Sequence, residues 1–226
     1  GSGWGRYGDN LMSFTYSSLK TAIEDYTENT ETTFVTHMDD FIKLSEERIL
    51  KNVQLQLFRK NTTGTMTSSN QYLAMPSDFL APFSLSITSS SVKTFLQFKD
   101  VNYVQSFNPN SSTTGTPRYY AIFDITNFII GPTPDSGYTS ELHYFYRPAS
   151  LTAAGASGTT WLSENATLAL LYGCLTEAYT YMKGEQDLMA EYEKRFGEAM
   201  VALKMFGEAK EVTEDYRAGM VIRPKQ

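Results

Sequence analysis

The residues able to do chemistry are few and poorly placed for it. Only two histidines occur in the 226 residues, His37 at the start of a helical pattern and His143 in an alternating strand; neither has a second metal-type ligand at a useful spacing. Cys174 is the single cysteine, which excludes an intramolecular disulfide and a cysteine-built metal site, and its apolar helical surroundings point to a packed small hydrophobe. Carboxylates gather at Glu24, Asp25, Glu28 and Glu31, from which a glycosidase-type acid and base could be drawn, but a solvated helix face and cap is the simpler reading. No Gly-x-Ser-x-Gly elbow, Gly-x-x-x-x-Gly-Lys phosphate loop or dinucleotide fingerprint is present. The expectation is a chain with no catalytic residue, no metal and no cofactor.

Composition narrows the partners. A formal net charge of −6 argues against gripping nucleic acid by phosphate neutralisation, although an acidic chain can surround DNA without holding it. No apolar run reaches the length of a membrane span and no secretory signal opens the sequence, so a soluble protein is expected. The opening Gly-Ser-Gly resembles an expression scar, with Met12 as one candidate start and Trp4, Arg6 and Tyr7 as candidate native residues. The fifteen tyrosines and fourteen phenylalanines are assigned mainly to core and subunit interface rather than to a ligand platform.

The elements that must position these residues follow from periodicity. A short helix is expected near 17–26, capped by Ser17 or Ser18. A stronger amphipathic helix follows from about Thr36 to Gln54, capped by Thr36, with Met38, Phe41, Ile42, Ser45, Ile49 and Val53 on one face. From 55 to 160 the pattern turns to short strands: 55–59, 71–75, 83–87, 94–98, 118–123, 128–131 and 141–147. In the last, Leu142, Tyr144 and Tyr146 alternate against Glu141, His143, Phe145 and Arg147, and the Gly-Pro and Pro-Asp-Ser-Gly signals before it suggest an antiparallel hairpin with 128–131. Between them, 99–107 reads as a short helix or irregular segment and 108–117 as a polar loop.

Helical spacing returns after 160. Leu168, Leu171, Tyr172, Leu175, Ala178, Tyr179 and Met182 share a face behind a Ser163 cap; Gly184 then turns the chain into a last helix carrying Leu188, Tyr192, Phe196, Ala199, Leu203 and Phe206. So short a connection predicts antiparallel packing. The fold class is α+β: an antiparallel helical bundle with a β-rich insertion between its N-terminal and C-terminal helices, and flexible terminal arms. Its parts are the N-terminal helices (13–54), the β-rich region (55–160), the C-terminal helical pair (161–206) and a C-terminal arm (207–226).

Several segments, taken in order, carry a resemblance: DDFIKLSEERILKN, YLAMPSDFLAP, TGTPRYYAIFD, IIGPTPDSGYTSELHYFYRPASLT and TTWLSENATLALLYGCLTEAYTYMKGE. From roughly Ser13 to Arg217 the chain resembles the head-tail adaptor, or neck, proteins of tailed bacteriophages. The resemblance implies a structural, non-enzymatic subunit of a virion ring, commonly of twelve copies. Such a ring docks under the portal protein, helps retain DNA passing through its channel without sequence-specific binding, and presents a surface to the tail or a second neck protein. It also implies that the C-terminal arm grips the portal. Val212, Tyr216, Met220, Val221 and Ile222 would supply apolar contact, and Arg217, Arg223 and Lys225 positive charge. The loop residues Asn108, Asn110, Ser111 and Thr113 are expected to project toward a neighbouring copy or the tail. Rival readings are a receptor- or carbohydrate-binding tail module using the aromatics of the β-rich region, and a tail-associated hydrolase.

Overall fold

The computed structural model describes residues 13–53 and 58–217, with side chains as far as 207 in the final helix. It divides into two units, a helical one formed by 1–54 with 149–226 and a β-rich one formed by Leu55–Pro148.

The helical unit is built around one central helix. Its elements are α1 (Tyr16–Thr27), α2 (Thr32–Thr36), α3 (Met38–Leu50), α5 (Trp161–Asn165), α6 (Thr167–Met182) and α7 (Gln186–Arg217); α4 belongs to the other unit. Helix α6 packs against α1, α3, α5 and α7. A helix with neighbours on so many sides must be apolar nearly all round, and Ala169, Leu170, Leu171, Gly173, Cys174, Leu175 and Ala178 are all buried. The predicted stripe of α3 is buried throughout, from Met38 to Ile49 and on to Val53. Against α7 the pairing runs backwards in sequence. Tyr179 and Tyr172 both lie against Tyr192, and a Cβ at Gly173 would come 3.1 Å from Phe196, so α6 and α7 are antiparallel.

Local chemistry sets the helix ends, and here several expectations are corrected. Helix α1 is capped by Thr15, not Ser17 or Ser18: Ser18 instead completes a capping box, its N–H donating to the Thr15 hydroxyl at 3.1 Å. Thr36 caps nothing; it ends α2, and its hydroxyl donates back to the Thr32 carbonyl at 2.7 Å. Thr160, with Ser163 at the third helical position, caps α5, and α6 begins only after a break at Ala166. Leu168, Leu188 and Phe206 are exposed rather than in the core. Finally, α7 does not stop near 206 but continues to Arg217, so the first part of the expected arm is helical backbone.

Among its described residues the β unit holds ten strands: β1 (Arg59–Thr65), β2 (Tyr72–Ala74), β3 (Phe79–Ser89), β4 (Val92–Phe95), β5 (Gln97–Phe98), β6 (Thr114–Gly115), β7 (Tyr119–Ile122), β8 (Asn127–Gly131), β9 (Thr133–Pro134) and β10 (Thr139–Tyr146), with helix α4 (Val101–Phe107) between β5 and β6. One sheet has the order β1-β10-β3-β4 and is antiparallel throughout; a second has the order β2-β8-β7-β5, with only β7 and β5 parallel. Their inner faces share a core in which Leu85, Ile87, Leu142 and Tyr144 of the first sheet meet Tyr120, Phe128 and Ile130 of the second. Helix α4 covers the outer side of the second sheet through Val104 on Ala121 and Ile129; a Cβ at Gly131 would stand 2.9 Å from Val104 Cγ1. At Leu96 the chain switches sheets: the Leu96 N–H still donates to Leu85, and the next N–H, from Gln97, donates to Arg118.

This topology overturns the predicted hairpin. Strands β8 and β10 lie in different sheets, so the Pro-rich segment between them is a crossover carrying β9 and not a turn. Of the strand expected at 55–59, residues 55–57 fall outside the described residues; Arg59 opens β1, which continues through polar residues to Thr65 and can do so because it is an edge strand. The β unit ends at Pro148 rather than 160. The segment beyond it is bound to the helices: Ser17 and Tyr16 donate N–H groups to Ala156 and Gly158, and Phe14 to Ser163.

Candidate assembly surfaces

Among the described Phe and Tyr residues, eight are buried and ten are exposed, and seven of the exposed ones belong to the β unit. The exposed rings direct attention to the surfaces they form.

The first surface is the outer face of the β1-β10-β3-β4 sheet. Register places Asn61, His143 and Ser84 in one row and Thr63, Glu141, Ser86 and Phe95 in the next. The Glu141 carboxylate accepts from the Lys93 ammonium and from Asn61 Nδ2 (2.7 Å), and these bonds, Lys93's first, hold it below the usual carboxylate range. A carboxylate held ionised by two donors is a poor proton acceptor. Phe83 and Phe95, 54% and 62% exposed, stand on this face, which has a hollow of about 320 Å³ lined also by His143 and Ser84. The His143 ring lies 4.9 Å from that of Phe83, and Arg59 lies 5.3 Å from it on a cation–π contact.

Phe83 reaches this face through a bulge. Ser84 pairs with His143 and Pro82 with Tyr144, leaving Phe83 as the extra residue that reverses the alternation set by Leu85 and Ile87. Nearby, the Tyr144 hydroxyl donates to Asp78 Oδ1 (2.7 Å) and Lys60 to Oδ2 (2.8 Å). Burial works against the Asp78 carboxylate, yet Lys60 and Tyr144 still hold it low, while burial followed by Asp78 pushes Tyr144 up to about 12.

The second surface is the loop after α4. Asn108 is its half-buried root: its Nδ2 donates to the Thr113 carbonyl (3.3 Å) and to the Thr133 hydroxyl (3.2 Å). Above it the Asn110 side chain accepts from Ser112 N–H and its carbonyl from Thr113 N–H, both at 3.0 Å, forming an exposed turn that includes Ser111. The four predicted loop residues are thus brought together, three exposed and Asn108 anchoring them.

The third feature is α7. At 1.5 Å per residue its 32 residues extend about twice as far as the 16 of α6. Its inner face buries Phe196, Met200 and Leu203, while Val201 and Met205 stand 55% and 65% exposed four residues apart on another face. Val212, Tyr216 and Arg217 lie on this helix, and Met220, Val221, Ile222, Arg223 and Lys225 fall outside the described residues.

Other titratable groups serve the fold. Glu46 is buried, accepts the Leu151 N–H at 2.7 Å, and has its pKa raised by burial against that bond and one from Ser150. Cys174 is fully buried, and burial raises its thiol far above the range in which a thiolate forms. Tyr16 donates to Asp39, which, ahead of burial, pushes the phenol up to about 12. His37 pairs with Asp40 at 3.1 Å on the surface, and its ring lies 5.0 Å from that of Tyr181. Asp25, Glu28 and Glu31 are exposed and Glu24 partly so, and Glu28 forms the left-handed C-cap of α1. Among the described residues no group of three or more His, Cys, Asp or Glu side chains converges as a metal site would, and no helix is long and apolar enough to cross a membrane.

The chain is thus an α+β protein with a helical bundle, an inserted sandwich and its aromatics spread over faces. More specifically, it matches the family described as SU10 adaptor protein over residues 14–223 and belongs to that family, which comprises phage head-tail adaptors with a structural role in the virion neck. No curated protein matches the chain.

Proposed function

We infer that this protein is one subunit of a twelve-copy adaptor ring that docks beneath the portal, helps retain packaged DNA, and offers its far surface to the tail or a second neck protein. The family match across nearly the whole chain carries this reading. Assembly takes place in the host cytoplasm, and DNA slides through the channel without sequence-specific contact. Supporting this, Leu55–Pro148 carries six Lys and Arg against five Asp and Glu, leaving thirteen against twenty for the helical unit, so the helical surface in particular gives DNA no counterion-release gain.

Portal contact is assigned to the end of α7 and the residues after it: Val212, Tyr216, Arg217, Met220, Ile222 and Arg223. The length of α7, twice that of α6, supports this. Modest affinity per arm, multiplied over a ring, gives firm attachment. Truncation after Lys210 is expected to leave thermal unfolding nearly unchanged and to abolish co-sedimentation with portal rings; normal binding by the truncated chain would falsify the assignment. The loop of Asn108, Asn110, Ser111 and Thr113 faces a neighbouring copy or the tail. Protease cleavage there in the free chain should be lost on assembly.

One observation favours a second reading, a carbohydrate- or receptor-binding module: Phe83 and Phe95 flank a polar-floored hollow. It is subordinate, because Asn61, Lys93 and Glu141 already satisfy one another there.

A further inference from the structure

Ile125 is the most exposed large apolar side chain among the described residues, 96% accessible in the turn between β7 and β8. A lone exposed isoleucine needs no explanation, but the turn beneath this one is braced from several sides. The Asp124 carboxylate accepts from the Thr126 N–H (2.7 Å), the Thr126 hydroxyl (2.9 Å) and the Asn127 N–H (2.7 Å). The Phe123 and Asp124 N–H groups both donate to the Asn127 carbonyl, and Met75 N–H donates to Thr126 at 2.7 Å. The rings of Tyr72 and Phe123 pack 5.0 Å apart beside it. The side chain is therefore held out on a frame ordered before any partner arrives, which removes much of the ordering cost of a contact.

A matching recess lies on the same unit. A hollow of about 550 Å³ beside β5 and the start of α4 is lined by Phe98, Lys99, Asp100, Val101, Ala121 and Ile122. Its walls are mainly apolar, and Phe98 is 53% exposed. Asp100 is occupied in capping α4, accepting from Asn102 N–H at 2.8 Å. Lys99 rests over the Tyr103 ring. The protrusion thus carries one carboxylate, Asp124, and the recess an ammonium with only a ring beside it, so the two are complementary in both apolarity and charge.

We propose that Ile125 of one copy seats in the Phe98–Ile122 hollow of a second copy, with Asp124 set against Lys99. The choice of a second copy as occupant rests on the ring reading above. A one-way contact between two different patches leaves one of each free and repeats from copy to copy as a ring requires, whereas a reciprocal exchange would close at two copies.

The test uses the full chain carrying single substitutions, since Cys174 is buried and inert. Chains with Ile125→Cys and chains with Phe98→Cys are mixed under mild oxidation at assembling concentration, alone and on portal rings. A disulfide joining the two kinds of chain, in preference to either kind with itself, is expected. Ile125→Ser should weaken association roughly tenfold to hundredfold, the factor for burying one such side chain, with its unfolding midpoint unchanged. If Ile125→Ser assembles at full strength and no mixed disulfide forms, the proposal falls and the ring reading stands. An assembly that stops at two copies, or disulfides that form only between chains of the same kind, also overturns it. If the unaltered chain never self-associates, alone or on portal, the ring reading falls too; loss of a different neck protein on Ile125→Ser would then identify that protein as the occupant in place of a second copy.

Discussion

The two units solve burial in different ways. The helical unit encloses one helix: α6 is buried on several sides, with Phe34, Phe41 and Phe196 among the side chains of the core and close backbone approach at Gly173, where an added Cβ would come 2.1 Å from Ser45 Oγ. The β unit closes two sheets over aromatics, with Tyr120, Phe128 and Tyr144 at its centre, and exposes seven further aromatic rings. The lesson lies in the rings: the helical unit exposes three, Tyr26, Tyr181 and Phe206, while the β unit leaves seven for others. Charge divides similarly, with the whole acidic excess in the sequence of the helical unit.

The sharpest way to break this comparison is to empty each core. Phe128→Ala should cost about 3–5 kcal/mol and Leu175→Ala or Ile49→Ala about 2–5 kcal/mol, measured by denaturant unfolding with one probe in each unit. If the two helical variants each cost below about 0.5 kcal/mol, α3, α6 and α7 do not share a core. Next comes the close approach of α3 and α6. Gly173→Ala should cost about 1–3 kcal/mol by overpacking, and adding Ser45→Ala should restore part of it; strict additivity in that pair would show that the helices do not meet as described.

Caps give a smaller effect. Thr15→Ala and Thr160→Ala should each cost about 1 kcal/mol, whereas Ser17→Ala should change little, a contrast readable in thermal midpoints. The smallest expected effect is pH dependence, which should run in opposite directions in the two units. Glu46 has its pKa raised above 4.5, so its ionised form opposes folding. Relative to Glu46→Gln, the natural chain should therefore gain stability as pH falls through that raised value toward 4.5. Asp78 and Glu141 lie below 3.8 and 4.5, so what they contribute at neutral pH is lost as pH falls through their lowered values. Acid titration with unit-specific probes checks both signs, and parallel loss in the two units would contradict them.

What the sequence determined by itself was set by local rules. Periodicity at 3.6 residues placed Met38, Phe41, Ile42, Ser45 and Ile49 on one buried face, and period-two alternation placed Leu142 and Tyr144 inward, because each pattern needs only neighbours along the chain. The helix–strand–helix order and the family resemblance were legible for the same reason, and the four loop residues from Asn108 to Thr113 were found from composition alone. Tertiary structure decided the rest. Which strands pair is a property of two distant segments, so a turn-rich stretch between β8 and β10 could not reveal that they enter different sheets. A single unpaired residue in β3 sent Phe83 to the outer face against its own alternation. The exposure of Ile125 depends on a frame contributed by Met75 and Asn127 as well as by its own turn, because a surface is defined by what does not cover it, and no local pattern records that.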